Sequence, residues 1–97
     1  MDNPTNPIYQ RDENIVTRLI AGEMILVPIR KHVGDMEHIY TLNETASRIW
    51  ELIDGQRSLA EICQQITDEF EIDPSQAESD LSELIQSLVE IGAITEN

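Results

Sequence analysis

The hydrophobic positions change their spacing near the middle of the chain. Before residue 43 they form short β-branched or apolar runs that are typical of strands. Ala21-Gly22-Glu23 predicts a turn after the first run, and the polar stretch 30–37 predicts a loop before the third. Links of this length suit antiparallel neighbours, because parallel pairs need long crossovers. The first half therefore predicts three antiparallel strands, at residues 15–20, 24–29 and 38–42.

After residue 43 the apolar side chains recur with the period of a helix. Gly55 and Gly92 are typical helix stops, because glycine adopts the left-handed conformation that follows a last turn. The order βββααα predicts an α+β, winged-helix-like domain with a three-stranded antiparallel sheet followed by three helices. Three helix starts carry capping signals: Asn43, Ser58 with Glu61, and Asp73-Pro74 with Gln76.

Length and the polar N-terminus set the expected domain organisation. Residues 1–13 are polar and contain two prolines, which predicts a flexible lead-in. Residues 14–97 are enough for one small domain with one core. The chain has no apolar run long enough to span a membrane and no pattern of a secretion signal, so we expect a cytoplasmic protein without a membrane partner.

The formal net charge of −13 is unevenly placed. All six lysines and arginines lie within residues 1–57, whereas residues 58–97 contain ten acidic side chains and no lysine or arginine. Such a field repels phosphate backbones and favours neutral or cationic partners, so we expect no nucleic acid. The simplest interpretation of most of these acids is solvated helix faces.

Residues able to support catalysis or metal binding are few. His32 and His38 flank a polar loop, but their spacing matches no known metal motif. Cys63 lies on an apolar helix stripe, which is typical of a buried small side chain rather than a nucleophile. Trp50 lies on the apolar face of the first predicted helix, where core packing is expected. We therefore expect a protein that is not an enzyme and binds no metal or cofactor.

The stretch 42–55 (LNETASRIWELIDG) resembles the central motif of the PqqD-like family, named for the D protein of pyrroloquinoline quinone biosynthesis. The resemblance continues through Ser58-Leu-Ala-Glu-Ile62, Phe70 and Asp73-Pro74 to Gly92, and spans residues 14–95. It implies the family fold of three antiparallel strands followed by three helices. The longer 30–37 segment and Trp50 differ from the quinone-pathway proteins and place the chain in the broader PqqD-like group.

The resemblance also implies a function, namely recognition of precursor peptides in natural product biosynthesis. Family members bind the leader of a ribosomally made, post-translationally modified peptide and present it to a modifying enzyme, such as a radical SAM protein or a leader peptidase. The leader adds as a strand to the sheet edge, beside the last helix. Two copies of the domain can also pair through such an edge, so the sequence does not decide between a monomer and a homodimer. The implied peptide-binding residues are His38, Ile39, Tyr40, Thr41 and Leu42 on the strand, with Ala77, Leu81, Leu84, Ile85 and Leu88 on the helix.

Two other classes of protein fit parts of the pattern. The element order permits a winged-helix DNA-binding regulator, although the last two predicted helices carry no lysine or arginine for phosphate contacts. An acidic carrier protein is suggested by Ser58-Leu59 at a helix start. However, Arg57 stands where that class would have an aspartate, and three strands do not suit a helical bundle.

Overall fold

The computed structural model of the chain describes residues 7–28 and 40–96. The described residues form five strands: β1 (Tyr9–Arg11), β2 (Ile15–Ile20), β3 (Glu23–Pro28), β4 (Tyr40–Leu42) and β5 (Ile94–Glu96). The helices are α1 (Glu44–Leu52), α2 (Leu59–Phe70) and α3 (Pro74–Glu90).

The main sheet is antiparallel, with strand order β2-β3-β4. Ala21 and Gly22 close the β2–β3 hairpin with φ angles of 53° and 83°. Two positive φ values are the mark of a type I′ turn, whose twist matches that of the flanking strands. The predicted fold class, three antiparallel strands followed by three helices, is confirmed. The third strand is described from Tyr40 onwards, so predicted residues 38 and 39 lie outside the described part of the chain.

A second, two-stranded sheet joins the two ends of the described chain. β1 pairs antiparallel with β5, with Tyr9 opposite Glu96. On its other side, the carbonyl oxygen of Tyr9 accepts a hydrogen bond from the Gly55 amide at 2.9 Å. Residues 9–11 are therefore a strand, whereas the sequence predicts a flexible lead-in over 1–13. The local pattern cannot reveal this pairing, because the partner strand lies at the far end of the chain.

The helix starts follow the predicted caps in two cases of three. The Asn43 side chain accepts from the Ala46 amide at 2.8 Å, and Ser58 and Glu61 form the reciprocal capping box. Asp73 precedes α3 but makes no side-chain cap hydrogen bond. The predicted partner Gln76 instead donates to Asp80 at 2.9 Å. Proline at the first position of α3 has no amide hydrogen to satisfy, which lowers the need for a cap there.

One apolar core lies between the sheet and the helices. α1 packs against β3 and β4, and α2 and α3 pack against each other. Trp50 is 2 % exposed, as expected for the buried face of α1, and Cys63 is half-buried beside the core. None of the helices in residues 7–28 and 40–96 has the length and apolar character needed to cross a bilayer. The largest fully buried side chains are Trp50, Leu26, Ile49, Ile53, Ile62, Ile66, Leu88 and Ile94.

Candidate functional site

β4 forms one edge of the main sheet. It pairs with β3 through the register Leu26 opposite Tyr40, Ile25 opposite Thr41 and Met24 opposite Leu42. Among the described residues, no strand pairs with the other side of β4. The main-chain groups on that side are therefore open to a further strand.

A cleft of about 330 Å³ lies beside this edge. β4 and the first turns of α1 form one wall, and α3 forms the other. On α1 the lining residues are Thr45, Ala46 and Ile49. On α3 they are Asp80, Glu83, Leu84 and Ser87, which share one helix face through spacings of three and four.

The cleft combines apolar and polar surface. Tyr40 and Leu84 are half-buried hydrophobic side chains that pack against the core cluster. Thr41 and Glu83 are exposed, and Asp80 is half-buried. A mixed lining of this kind suits a peptide, which presents side chains and main-chain hydrogen-bonding groups together.

The structure separates the predicted site residues into three groups. Tyr40, Thr41, Leu42 and Leu84 line the cleft. His38 and Ile39 lie outside the described residues. The other four predicted residues are 6 % exposed or less and belong to the core: Ala77, Leu81, Ile85 and Leu88.

The helical periodicity explains why these four residues are not in the cleft. A spacing of three and four places positions 77, 81, 85 and 88 on one stripe of α3, and positions 80, 84 and 87 on the adjacent stripe. The apolar pattern identifies the stripe that is buried in the core. The cleft-lining residues Asp80, Glu83 and Ser87 are polar, so the apolar pattern of the sequence does not predict them. Their spacing from Leu84 is the signal that identifies them.

A second cavity differs in its setting. It has a volume of about 390 Å³, lies on another side of α3, and is lined by residues that include Tyr9, Leu59 and Val89. The strand beside it, β1, is hydrogen-bonded on one side to β5 and on the other to the loop before α2. It therefore lacks the open strand edge that β4 provides.

Charged pairs with shifted pKa values lie away from the cleft. The guanidinium of Arg48 makes two hydrogen bonds to the Glu69 carboxylate, at 2.8 and 2.9 Å, which lower the pKa of Glu69 to about 2. Backbone amides of Arg57 and Gln56 lower the pKa of Asp54. In residues 7–28 and 40–96 there is no group of three or more histidine, cysteine or acidic side chains that is suited to hold a metal ion. His32 and His38 lie outside these ranges.

The fold and the open edge beside the cleft define a small winged-helix-like α+β domain. Residues 23–94 match the model of the family described as coenzyme PQQ synthesis protein D (PqqD). The chain belongs to this family, as the motif at residues 42–55 indicates. A comparison with curated protein sequences gives no match.

Several solved structures are similar to the chain over most of its length. A lasso peptide synthetase B1 complexed with the leader peptide is 26 % identical, covers 90 % of this chain and 96 % of its own, and superposes with a TM-score of 0.73. TbiB1 in complex with the TbiA(beta) leader peptide is 22 % identical, with coverages of 88 % and 93 % and a TM-score of 0.71.

A third similar structure comes from Methylobacterium extorquens. It is the PqqD truncation of PqqCD, described as a functional and stand-alone recognition element for ribosomally synthesised and post-translationally modified peptides. It is 17 % identical, covers 91 % of this chain and 88 % of its own, and has a TM-score of 0.70. At this identity the likeness shows the fold.

Proposed function

We propose that this protein is a non-catalytic recognition domain that binds the leader of a ribosomally synthesised precursor peptide. The observation that carries the proposal is the open edge of β4 beside a cleft of about 330 Å³. The leader adds to the sheet as a strand next to β4, and its side chains enter the cleft between β4 and α3. The domain then presents the bound peptide to a modifying enzyme, such as a radical SAM protein or a leader peptidase.

The affinity of such a complex has two sources. Main-chain hydrogen bonds to β4 hold a strand of any sequence, and each contributes about 1 kcal/mol net. Side chains in the cleft supply the selectivity. Leu84 and Tyr40 offer apolar surface that a leader side chain buries, at about 25 cal/mol per Å².

The similar proteins support this proposal. The lasso peptide synthetase B1 and TbiB1 structures both hold leader peptides, and the PqqD truncation is described as a peptide recognition element. DNA binding lacks comparable support. α2 and α3 contain no lysine or arginine, so they offer no cations to phosphates.

The test is a selection from a displayed library of short random peptides on the immobilised protein, followed by affinity measurement with fluorescent copies of the enriched peptides. Thr41→Pro removes a backbone donor from β4, and Leu84→Asp places a charge in the cleft. We expect each to weaken binding by about tenfold or more, equivalent to about 1.4 kcal/mol. Val89→Asp is the matched control for Leu84→Asp, because Val89 is an exposed apolar residue of α3 that does not line the cleft.

Far-UV circular dichroism and thermal unfolding establish that each variant is folded. Hydrogen exchange then locates the peptide, because strand addition slows exchange of those β4 amides that do not already bond to β3. Normal peptide binding by both folded variants, or protection confined to other residues, would overturn the proposal. Salt-sensitive binding of a labelled DNA duplex would favour the regulator instead.

A further inference from the structure

Two carboxylates stand on the α3 wall of the cleft. Asp80 and Glu83 are three residues apart, so they are neighbours on the helix surface. They share this wall with the half-buried Leu84, and the cleft is also lined by β4, which has no second strand partner among the described residues. A peptide strand in the cleft therefore passes both an apolar surface and two acids.

Within the described residues these acids meet no cation. Asp80 accepts a hydrogen bond from the neutral amide of Gln76 at 2.9 Å. The ion pairs of residues 7–28 and 40–96 belong to Arg48 and Arg57, and they join Glu51, Glu69 and Asp54. Neither α2 nor α3 has a lysine or arginine to neutralise the cleft.

We propose that the recognised leader carries a lysine or arginine that pairs with Asp80 and Glu83 when the leader lies along β4. This inference rests on the proposed function and names the chemical class of its ligand. The occupant is a strand-forming peptide with an apolar residue against Leu84 and a cationic residue beside it. The charge of the cleft then separates cationic leaders from acidic peptides of equal strand propensity.

The spacing of the two side chains follows from the geometry of the two elements. Residues 80 and 84 are one turn apart on α3, a rise of about 6 Å. Side chains on one face of a strand are two residues, or about 6.7 Å, apart. A peptide strand that runs along α3 therefore places an apolar residue against Leu84. The residue two positions away, which is cationic, then lies against Asp80.

Long-range electrostatics act in the same direction. The formal net charge of −13 draws a cationic peptide towards the domain, and salt screens this attraction. Exposed ion pairs change an equilibrium constant by about two- to fivefold each. Removal of both carboxylates is expected to weaken the binding of a cationic leader by about four- to twenty-fivefold.

The experiment compares three proteins in the same random-peptide selection: the wild type, Asp80→Asn/Glu83→Gln, and the control Glu78→Gln/Glu90→Gln. The control removes the same charge from the same helix, but its residues do not line the cleft. We expect wild type and control to enrich lysine or arginine two positions from an apolar residue, and the cleft variant to lose this enrichment. Asp80→Lys/Glu83→Lys should enrich acidic residues instead.

The outcomes separate the two proposals. If the peptides selected on the wild-type protein need Thr41 and Leu84 for binding but show no enrichment of lysine or arginine, the charge selection is overturned. Leader recognition then still stands. An equal loss of cation enrichment in the cleft variant and the control would also overturn it, because net charge would then explain the preference. A wild-type selection without any enriched peptide would overturn both.

Discussion

The indole N–H of Trp50 donates a hydrogen bond to the hydroxyl of Thr17, with 2.9 Å between nitrogen and oxygen. This bond joins α1 to β2 across 33 positions of the sequence. The guanidinium carbon of Arg11 lies 5.8 Å from the centroid of the same ring. This distance is typical of a cation–π contact, which here comes from β1. A single side chain thus links the first helix to both sheets.

Thr17→Val removes the acceptor of this bond and keeps the shape of the side chain. We expect the free energy of unfolding to fall by about 1–2 kcal/mol, because the indole N–H loses its partner in a partly buried setting. Urea unfolding followed by far-UV circular dichroism measures the change. Trp50→Phe is the matched background, since a phenyl ring has no donor. An equal effect of Thr17→Val in both backgrounds would mean that the bond contributes nothing.

The Arg48–Glu69 pair should make stability depend on pH in the acidic range. The side chain of Arg48 donates the hydrogen bonds that lower the pKa of Glu69 most, and a hydrogen bond from Gln65 adds to the effect. Together they lower this pKa from 4.5 to about 2. Because the pKa is lower in the folded state, the stabilisation is complete above the unfolded value and is lost as the pH falls from about 4.5 to about 2.

Glu69→Gln and Arg48→Met should therefore both flatten the fall in stability over this range. Urea midpoints across the acidic range give the comparison. Glu78→Gln is the control, because it removes an exposed helical acid that has no ion pair among the described residues. A slope in either variant equal to that of the wild type would contradict the assignment.

The two helix starts at Ser58 and Asp73 should respond differently to alanine. Ser58 is 4 % exposed, and its side chain accepts from the Glu61 amide at 3.2 Å. Ser58→Ala should lower the free energy of unfolding by about 1–2 kcal/mol, or the melting temperature by about 4–8 °C per kcal/mol. Asp73→Ala should cost only a few tenths of a kcal/mol, because Asp73 makes no cap hydrogen bond. Equal losses in thermal unfolding would contradict this prediction and show that the Ser58 cap bond adds no stability beyond that of Asp73.

The β2–β3 turn holds alanine at a position that favours asparagine or glycine. Ala21 has a φ of 53°, which is costly for a residue with a Cβ atom. Ala21→Asn should raise the free energy of unfolding by about 0.5–1 kcal/mol. Gly22→Ala should lower it by about 1 kcal/mol through φ alone, because a Cβ atom there meets nothing within 4 Å. Thermal unfolding measures both, and a stabilising Gly22→Ala would refute the turn assignment.

Local signals predicted the elements that depend on local interactions. The side chains of Asn43 and Ser58 each bond an amide three residues ahead, so the sequence around them identifies the helix starts. Asp73 has the same appearance in the sequence, yet it makes no such bond in the structure. A cap residue marks a boundary, but its side-chain geometry depends on the surrounding fold.

Interactions between distant segments were not visible in the sequence. The pairing of residues 9–11 with 94–96 depends on the whole domain bringing the two segments together. The division of α3 into a core stripe and a cleft stripe depends on where β4 and α1 lie. Core packing and ligand contact in a cleft both favour apolar side chains. The hydrophobic pattern therefore does not distinguish Leu84, which lines the cleft, from the core residues of α3.

The pairing of β1 with β5 also makes the topology of the domain almost circular. Tyr9 and Glu96 are register partners, and Cα atoms of such partners are about 4.5–5.5 Å apart. A short peptide joining them would close the backbone into a ring, and new termini could open at the Ala21–Gly22 hairpin without cutting any helix. The domain is thereby suited to insertion into a loop of a larger protein, with its entry and exit points side by side.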